Sequence, residues 1–365
     1  MNNGNRQNIL IDAREFVPGR FTGIARVILG LVEALQLQMD KEIVLAINYM
    51  RAIPVRLKDQ SGLSFRDLPY NFLRSEWELS NITKQGFSLF ISPYPKLPLF
   101  GCHCPSVHII HDVLDLTHPA YKKRFKVCFD GYRLRKALKQ AALTWYDSFW
   151  SLEETRRYAG FVGRNPRVRH PGINERFNIE EIKGQNEILN KYNLQAGYIL
   201  TIGNGLPHKN LGVLLGIAGQ LTRKIVFAGV SEERQLYWKA KFPRTDAIWI
   251  KYILDEDLPA IIRGAFCLAQ PSTAEGYGYP PLEAMACGVP AVVSNIPVLV
   301  ETTGKDALIA EPDDPKGWLE AFNVLEDNAY YKDQVEKGLR WVEPLEGRKG
   351  WQKHISDIEE LIRES

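Results

Sequence analysis

The chain has 365 residues, 45% of them hydrophobic and 24% charged, with a formal net charge of +3. That length is too great for one ordinary core and suggests about two domains of roughly 150 to 200 residues, while the composition excludes a disordered or fibrous chain. So small a net charge gives no ground for a nucleic-acid partner, no apolar run approaches the ~18 residues of a membrane span, and five cysteines, an odd number, exclude a simple disulfide framework and favour a reducing compartment.

The opening Met1-Asn2-Asn3-Gly4-Asn5-Arg6-Gln7 lacks the charged-then-apolar order of a secretory signal, so a cytosolic protein is expected. Residues 8–12 read as a first strand, followed by a loop with Pro18, Gly19, Thr22 and Gly23 and a helix over residues 24–37. Residues 43–48, 89–92 and 107–110 are further strands. This alternation is the sequence form of a parallel sheet with crossover helices, and the first half is expected to be one doubly wound domain. His111 then stands at the carboxyl end of a strand; Asp112 either orients its ring or caps the next turn. Cys102-His103-Cys104 invites zinc, but the usual two-residue spacer is missing and no second pair follows, so a loop with buried thiols is the simpler reading and no metal is expected.

Between Tyr121 and Leu143 stand Lys122, Lys123, Arg124, Lys126, Arg133, Arg135, Lys136 and Lys139 against the single acid Asp130. Phe125, Phe129, Tyr132, Leu134, Ala137, Leu138 and Ala141 supply the apolar positions of a helix with one basic face. That face is either solvated or drawn to an anionic lipid surface or an anionic acceptor. Turn residues at Pro171-Gly172-Ile173-Asn174 and a polar stretch through Lys183 to Asn186 mark a boundary. The expected organisation is therefore a first domain over 1–180, a second over 181–346, and a final segment, 347–365, whose Trp351, Ile355, Ile358, Leu361 and Ile362 form an apolar stripe that needs a surface, the first domain being one candidate.

In the second half, strands are expected over residues 198–203, 224–229, 248–251, 266–270 and 290–294, with helices from Leu211 and Leu258. Asp255-Glu256-Asp257 has the spacing of a metal-binding acid pair, but its place before Leu258 makes helix capping the simpler reading. Gly203-Asn204-Gly205-Leu206-Pro207-His208-Lys209-Asn210 joins a strand to a helix. Histidine stands where a dinucleotide fingerprint needs its third glycine, which argues against NAD and leaves Lys209 as a cation outside the carboxyl end of a strand. The most informative stretch is Pro271 to Pro281, where Glu275-Gly276-Tyr277-Gly278-Tyr279 leads into prolines that fix a first helical turn containing Glu283. Backbone N–H groups and a positive dipole end there make an anion seat. Framed by two carboxylates, such a seat suits a ligand with both a diphosphate and hydroxyl groups, as nucleotide sugars have.

These residues together resemble the retaining nucleotide-sugar glycosyltransferases of family four, in their mannosyltransferase-like branch. The resemblance runs over most of the chain: Ile11-Asp12-Ala13-Arg14 with Thr22-Gly23-Ile24-Ala25-Arg26, then His111-Asp112, then Pro207-His208-Lys209-Asn210, then Glu275 through Tyr279 and Glu283 through Gly288. It implies an α/β protein of the GT-B fold, with two Rossmann-like doubly wound domains facing across a cleft and a final helix returning to the N-terminal, acceptor-side domain. It implies that Lys209 holds the donor diphosphate, Glu283 the ribose hydroxyls, and Glu275 with the N–H groups of Gly276 and Tyr277 the transferred sugar and phosphate. His111 would reach the sugar, and Thr22 and Gly23 the phosphates. Catalytic roles thus fall on Glu275, His111 and Lys209, and donor binding on Thr22, Gly23, Asn204, His208, Lys209, Gly276, Tyr277, Gly278 and Glu283.

Many relatives carry arginine where this chain has Asn204 or His208, so donor affinity is expected to vary with pH around the ordinary histidine value of about 6.5. The activity implied is metal-independent, retaining transfer of a hexose, mannose from a guanine nucleotide ahead of a uracil nucleotide, to a glycan or lipid-linked glycan in bacterial surface polysaccharide or lipopolysaccharide assembly. It needs no cofactor beyond the GDP- or UDP-sugar substrate. An epimerase or phosphorylase on the same fold, or a silent sugar-nucleotide-binding scaffold, are the alternatives.

Overall fold

The computed structural model describes residues 8–18, 22–39, 41–58, 60–118, 124–305 and 307–364. Met1 to Gln7, Gly19, Tyr121, Lys122 and Lys123, which entered the reading above, lie outside the described residues, as does the side chain of Arg124.

Two parallel sheets form because nearly every strand is a short apolar run buried on both faces and separated from the next by a crossover helix. The first has seven strands: β1 (Ile9–Asp12), β2 (Ile43–Ile47), β3 (Leu63–Asp67), β4 (Leu89–Ser92), β5 (Ser106–Ile110), β6 (Leu143–Tyr146) and β7 (Pro166–Val168), in the order β3-β2-β1-β4-β5-β6-β7. The second has six: β8 (Tyr198–Ile202), β9 (Ile225–Ala228), β10 (Ala247–Ile250), β11 (Ala265–Gln270), β12 (Ala291–Ser294) and β13 (Leu308–Ala310), in the order β10-β9-β8-β11-β12-β13. All pairings are parallel. Each sheet follows the doubly wound Rossmann order, in which the chain leaves the first strand to one side and returns on the other. The α/β fold class with two Rossmann-like sheets is thus as the resemblance implies.

The first compact unit comprises the residues up to Gly172 together with those from Gly347 onward, and the second runs from Ile173 to Glu346. The chain passes into the second unit eight residues before the position at 180 read from the turn residues. The reason is local: Ile173 bridges Glu346 and donates its N–H to the Leu345 carbonyl at 2.7 Å, and Arg176 holds Asp255 with both guanidinium nitrogens.

Within the first unit the helix Gly347–Arg363 lies against the helix Gly23–Gln38. The Trp351 ring sits so close to Gly30 and Gly172 that a Cβ on either would fall 2.7 and 2.5 Å from it. Its far end is clasped by Asp357, which accepts from Trp145 Nε1 at 2.8 Å and from Arg169 at 2.8 Å, and also pairs with Arg167.

The basic helix, Arg124–Gln140, departs from its expected amphipathic pattern. Leu134, Ala137, Leu138 and Ala141 are buried as read, but Phe125, Phe129 and Tyr132 are exposed. Arg133, assigned above to the basic face, is buried and bound to Glu76 at 2.6 Å. The heptad-like spacing carried two stripes, and only one of them faces the sheet.

Candidate active site

β8 and β11 are neighbours in the middle of the second sheet, and their crossovers lead to opposite sides, so their carboxyl ends mark the switch point where ligands of such sheets bind. Because the two strands are paired in parallel, the turn after β8 and the loop after β11 both emerge there.

The turn after β8 is built to project a lysine. Gly203 donates its N–H to the Ala228 carbonyl at 2.9 Å, and Asn204 folds its side chain onto the Leu206 N–H at 3.1 Å, closing an Asx-type turn. A 3₁₀ turn, Pro207–Lys209, ends at Asn210, whose φ of 49° lies in the left-handed region that asparagine tolerates, with its amide held by the Pro312 carbonyl at 2.6 Å. A Cβ at Gly203 would stand 3.3 Å from Lys209 Cδ, so the absent side chain leaves room for the lysine stem to lie back along the turn. Lys209 Nζ then meets Glu275 Oε1 at 2.6 Å.

The loop after β11 holds Glu275 from its own side. Ser272 Oγ donates to Oε1 at 2.6 Å and Gln270 Nε2 donates to the same oxygen, so three donors converge on one carboxylate oxygen. No hydrogen bond to Oε2 is made among the described residues. The two segments are also joined through the backbone, since the Thr273 N–H donates to the His208 carbonyl at 2.8 Å. Burial opposes charge on Glu275, but the Lys209 ammonium, the hydrogen bonds from Lys209 and Ser272 and the nearby His208 outweigh it and hold the carboxyl below its usual range. Glu275 is therefore a fixed carboxylate at neutral pH.

The helix Tyr279–Ala286 follows, with Gly278 as its N-cap residue at φ 94° and Pro280 and Pro281 in its first turn. Only glycine fits there, because the conformation is left-handed and a Cβ would come within 2.6 Å of Leu299 Cδ2. The helix thus begins two residues before Pro281, and Glu283 falls in its second turn, not its first, where it is buried. The positive end of the helix lies just beyond the loop that carries Glu275, Gly276 and Tyr277. Asn204 is exposed and His208 buried in the turn opposite.

Thr22, Gly23 and His111 belong to the first unit. Thr22 caps the helix Gly23–Gln38 by accepting from the Ala25 N–H at 3.1 Å, and its hydroxyl donates to Glu15 at 2.7 Å. Among the described residues, a Cβ on Gly23 would meet nothing within 4 Å. His111 follows β5; its Nδ1 stands 2.5 Å from Asp147 Oδ2 and its Nε2 3.1 Å from the Pro93 carbonyl. Two acceptors on two ring nitrogens call for two N–H donors, which is the imidazolium form. Burial works against that charge, yet Asp147, Asp112 and the Pro93 carbonyl prevail and raise the affinity of His111 for its proton above the ordinary value. Asp112 Oδ1 accepts from the Leu114 N–H at 2.8 Å, closing an Asx turn ahead of the helix Leu114–Thr117, and its charge also favours the protonated His111 ring.

Asp147 was not singled out in the sequence, nor was the ion network behind Asp12. Arg14 binds Asp12 at 2.6 Å and Glu76 at 3.1 Å, and Arg133 closes the chain on Glu76. The only advance sign was Asp12 and Arg14 standing at the end of a strand within a recognised motif. In the second unit, Asp257 does not cap with its side chain; it accepts from Lys191 and from the Tyr192 hydroxyl, each at 2.7 Å. Cys102 Sγ lies 3.5 Å from the Cys104 carbonyl oxygen.

Residues 180–341 match the family model described as "Glycosyl transferases group 1". The chain is 28% identical over 357 residues, 90% of its own length and 94% of the other's, to the O-antigen chain mannosyltransferase B of Escherichia coli. Among solved structures it is similar to the sucrose-phosphate synthase of Thermosynechococcus elongatus, with a TM-score of 0.77, 17% identity and 98% and 99% of the two chains covered. It is also similar to HepE of Anabaena, solved in complex with UDP-glucose, with a TM-score of 0.74, 15% identity and 98% of each chain covered. These structural likenesses establish the fold.

Proposed function

We propose that this chain, which belongs to the group 1 glycosyl transferases and is mannosyltransferase-like, transfers mannose from a guanine nucleotide diphosphate sugar to a hydroxyl of a growing, lipid-linked surface glycan, with retention of anomeric configuration and without a metal ion. The observation that carries this reading is the Lys209–Glu275 pair across the ends of β8 and β11, beside a helix opened by Gly278.

The costly step is departure of the diphosphate while the sugar takes on oxocarbenium character. The bond from the anomeric carbon to the phosphate oxygen breaks, its electron pair goes to the diphosphate, and the acceptor oxygen bonds to the same carbon. Negative charge grows on the leaving oxygens, where preorganised cations and dipoles contribute most. Lys209 has three donor hydrogens and spends one on Glu275, leaving two for phosphate oxygens. The helix beginning at Tyr279 adds its positive end. Glu275 Oε1 is saturated by Lys209, Ser272 and Gln270, so Oε2 is the atom that accepts from a sugar hydroxyl. Glu283 would hold the ribose, and Asn204 and His208 would stand in for an arginine of relatives. In the first unit His111 would donate to the transferred sugar once it leaves the Pro93 carbonyl, and Thr22 and Gly23 would border the phosphates. The departing phosphate takes the acceptor proton, so no protein nucleophile is required.

The relative's name, O-antigen chain mannosyltransferase B, supports mannose and a surface-glycan acceptor. Among the described residues no helix is long and apolar enough to cross a membrane, and we place the enzyme in the cytoplasm, at the inner membrane face. The test is incubation with GDP-mannose and, separately, UDP-glucose, with lipopolysaccharide core as acceptor, with and without a chelator. Product of retained configuration from GDP-mannose, unchanged by the chelator, is the expected result. Inverted product or dependence on a divalent ion would overturn the mechanism, and donor binding without consumption would favour the silent scaffold.

A further inference from the structure

The mismatch between the expected and observed faces of the helix Arg124–Gln140 leaves apolar surface that the core does not use. Phe125 is 93% exposed and Tyr132 60%, and with Phe129 they stand at steps of four and three along that helix. On the helix Phe72–Ile82, Phe72, Leu73 and Trp77 are exposed as well, Trp77 by 58%. The two groups are continuous, because the Phe72 and Phe129 rings meet edge to face with centroids 6.5 Å apart. With side chains of about 150–250 Å² each, these six residues present on the order of 700 Å², above the roughly 300–600 Å² of the largest patch on an ordinary monomer.

The patch is held rigidly from behind. The Arg133 guanidinium lies 6.0 Å from the Phe72 ring centre and 5.8 Å from that of Phe129 while bonding Glu76 and the Leu97 carbonyl. Around it stand cations: Arg74, Arg135 and Lys139 are exposed and Lys136 is half-buried, while Lys126 is paired with Asp115 at 2.8 Å, against Glu78 and Asp130 on the same two helices. Tryptophan and tyrosine, with apolar bodies and polar tips, favour the boundary between headgroups and acyl chains, and lysine and arginine favour anionic headgroups. A protein partner would have to match both features; an anionic bilayer does so by its nature.

We propose that this aromatic face of the first unit, Phe72, Leu73, Trp77, Phe125, Phe129 and Tyr132 with its surrounding cations, seats the protein on an anionic lipid surface. This deepens the reading of a lipid-linked acceptor, since the surface would bring the enzyme to where such an acceptor lies, and it rests on that reading for its purpose alone. The aromatics enter the boundary layer and the cations meet phosphate groups, so attachment needs both.

The test is cosedimentation of the full chain with vesicles of phosphatidylcholine alone and with roughly 30 mol% phosphatidylglycerol, at about 0.1 and about 0.5 M salt. The expected result is at least about tenfold stronger partitioning onto the anionic vesicles, weakened by salt, and lost in a Trp77→Ser, Phe125→Ser, Tyr132→Ser variant. That variant should keep its affinity for GDP, which shows that it is folded. Equal or absent sedimentation on the two vesicle types would overturn the proposal. So would a self-associated wild type that the triple variant renders monomeric, because the patch would then be an interface between copies. Anionic-vesicle binding in a protein that binds no nucleotide diphosphate would sink the glycosyltransferase mechanism and leave this proposal standing.

Discussion

The Lys209–Glu275 pair makes a quantitative prediction that can be tested by a double-mutant cycle of Lys209→Met, Glu275→Gln and the two combined. The charges are 2.6 Å apart, and the side chains are only 17% and 10% exposed. At an effective dielectric of 20 their gross attraction is about 6 kcal/mol, before the cost of desolvating both ions. Removing one partner strands the other charge among poor substitutes, at a cost of about 3–5 kcal/mol. Removing both abolishes the stranded charge, so the double variant should lose about 2 kcal/mol less than the sum of the singles. The assay is urea denaturation of the four proteins at pH 7.5. Because the folded state holds Glu275 below its ordinary value of 4.5, the stabilising contribution is full above that value and disappears as pH falls through the folded one. The gap between wild type and Lys209→Met should narrow accordingly in acid. Additivity within about 0.5 kcal/mol at pH 7.5 would refute the reasoning.

Gly278→Ala should destabilise by about 2–4 kcal/mol, combining a left-handed alanine with overpacking on Leu299, and a melting temperature within a degree of wild type would contradict the geometry of that loop. Trp351→Ala, which empties the space between Gly30 and Gly172, should cost about 3–5 kcal/mol in urea denaturation; less than about 1 kcal/mol would mean that the final helix is not seated as described. His111 holds its proton more tightly in the folded protein than in the unfolded chain. Its contribution is therefore full below about 6.5 and lost as pH rises through the folded value, so the wild type should show a decline in stability as pH rises above about 6.5 that His111→Gln lacks. Identical pH profiles for the two proteins would remove the Asp147 partnership.

Five of the six strands of the second unit were legible to within a residue or two because parallel strands buried on both faces are continuous apolar runs, and glycine or proline punctuates them; β13, the three-residue run Leu308–Ala310 at the sheet edge, was too short to read. β3 escaped notice because Leu63–Asp67 is an edge strand with polar residues and an exposed end. β6 escaped for a different reason. The helix ends at Gln140 and β6 begins at Leu143, so the apolar series Leu134, Ala137, Leu138 and Ala141 runs into the strand with no breaker between them. Losing that strand also hid Asp147 at its carboxyl end, the partner of His111 from 36 residues away. Lys209 and Glu275 were readable because each follows a strand that was itself readable, and two parallel strands bring their carboxyl ends to one side. Their direct bond was not readable: sequence order does not say that β8 and β11 are neighbours. The exposure of Phe125, Phe129 and Tyr132 was equally hidden, since a periodic pattern gives the angle between residues and not which stripe meets the sheet.

The account depends on the turn after β8 and the loop after β11 taking up a nucleotide diphosphate through charge. The most direct measurement is calorimetric titration of GDP and guanosine into wild type and Lys209→Met at pH 7.5, backed by thermal unfolding at saturating ligand. GDP at 100 times its dissociation constant should stabilise the wild type by about 2.7 kcal/mol, guanosine should bind far more weakly, and Lys209→Met should lose at least about tenfold in GDP affinity, or 1.4 kcal/mol. Equal affinity for GDP and guanosine, or for wild type and Lys209→Met, would contradict the account.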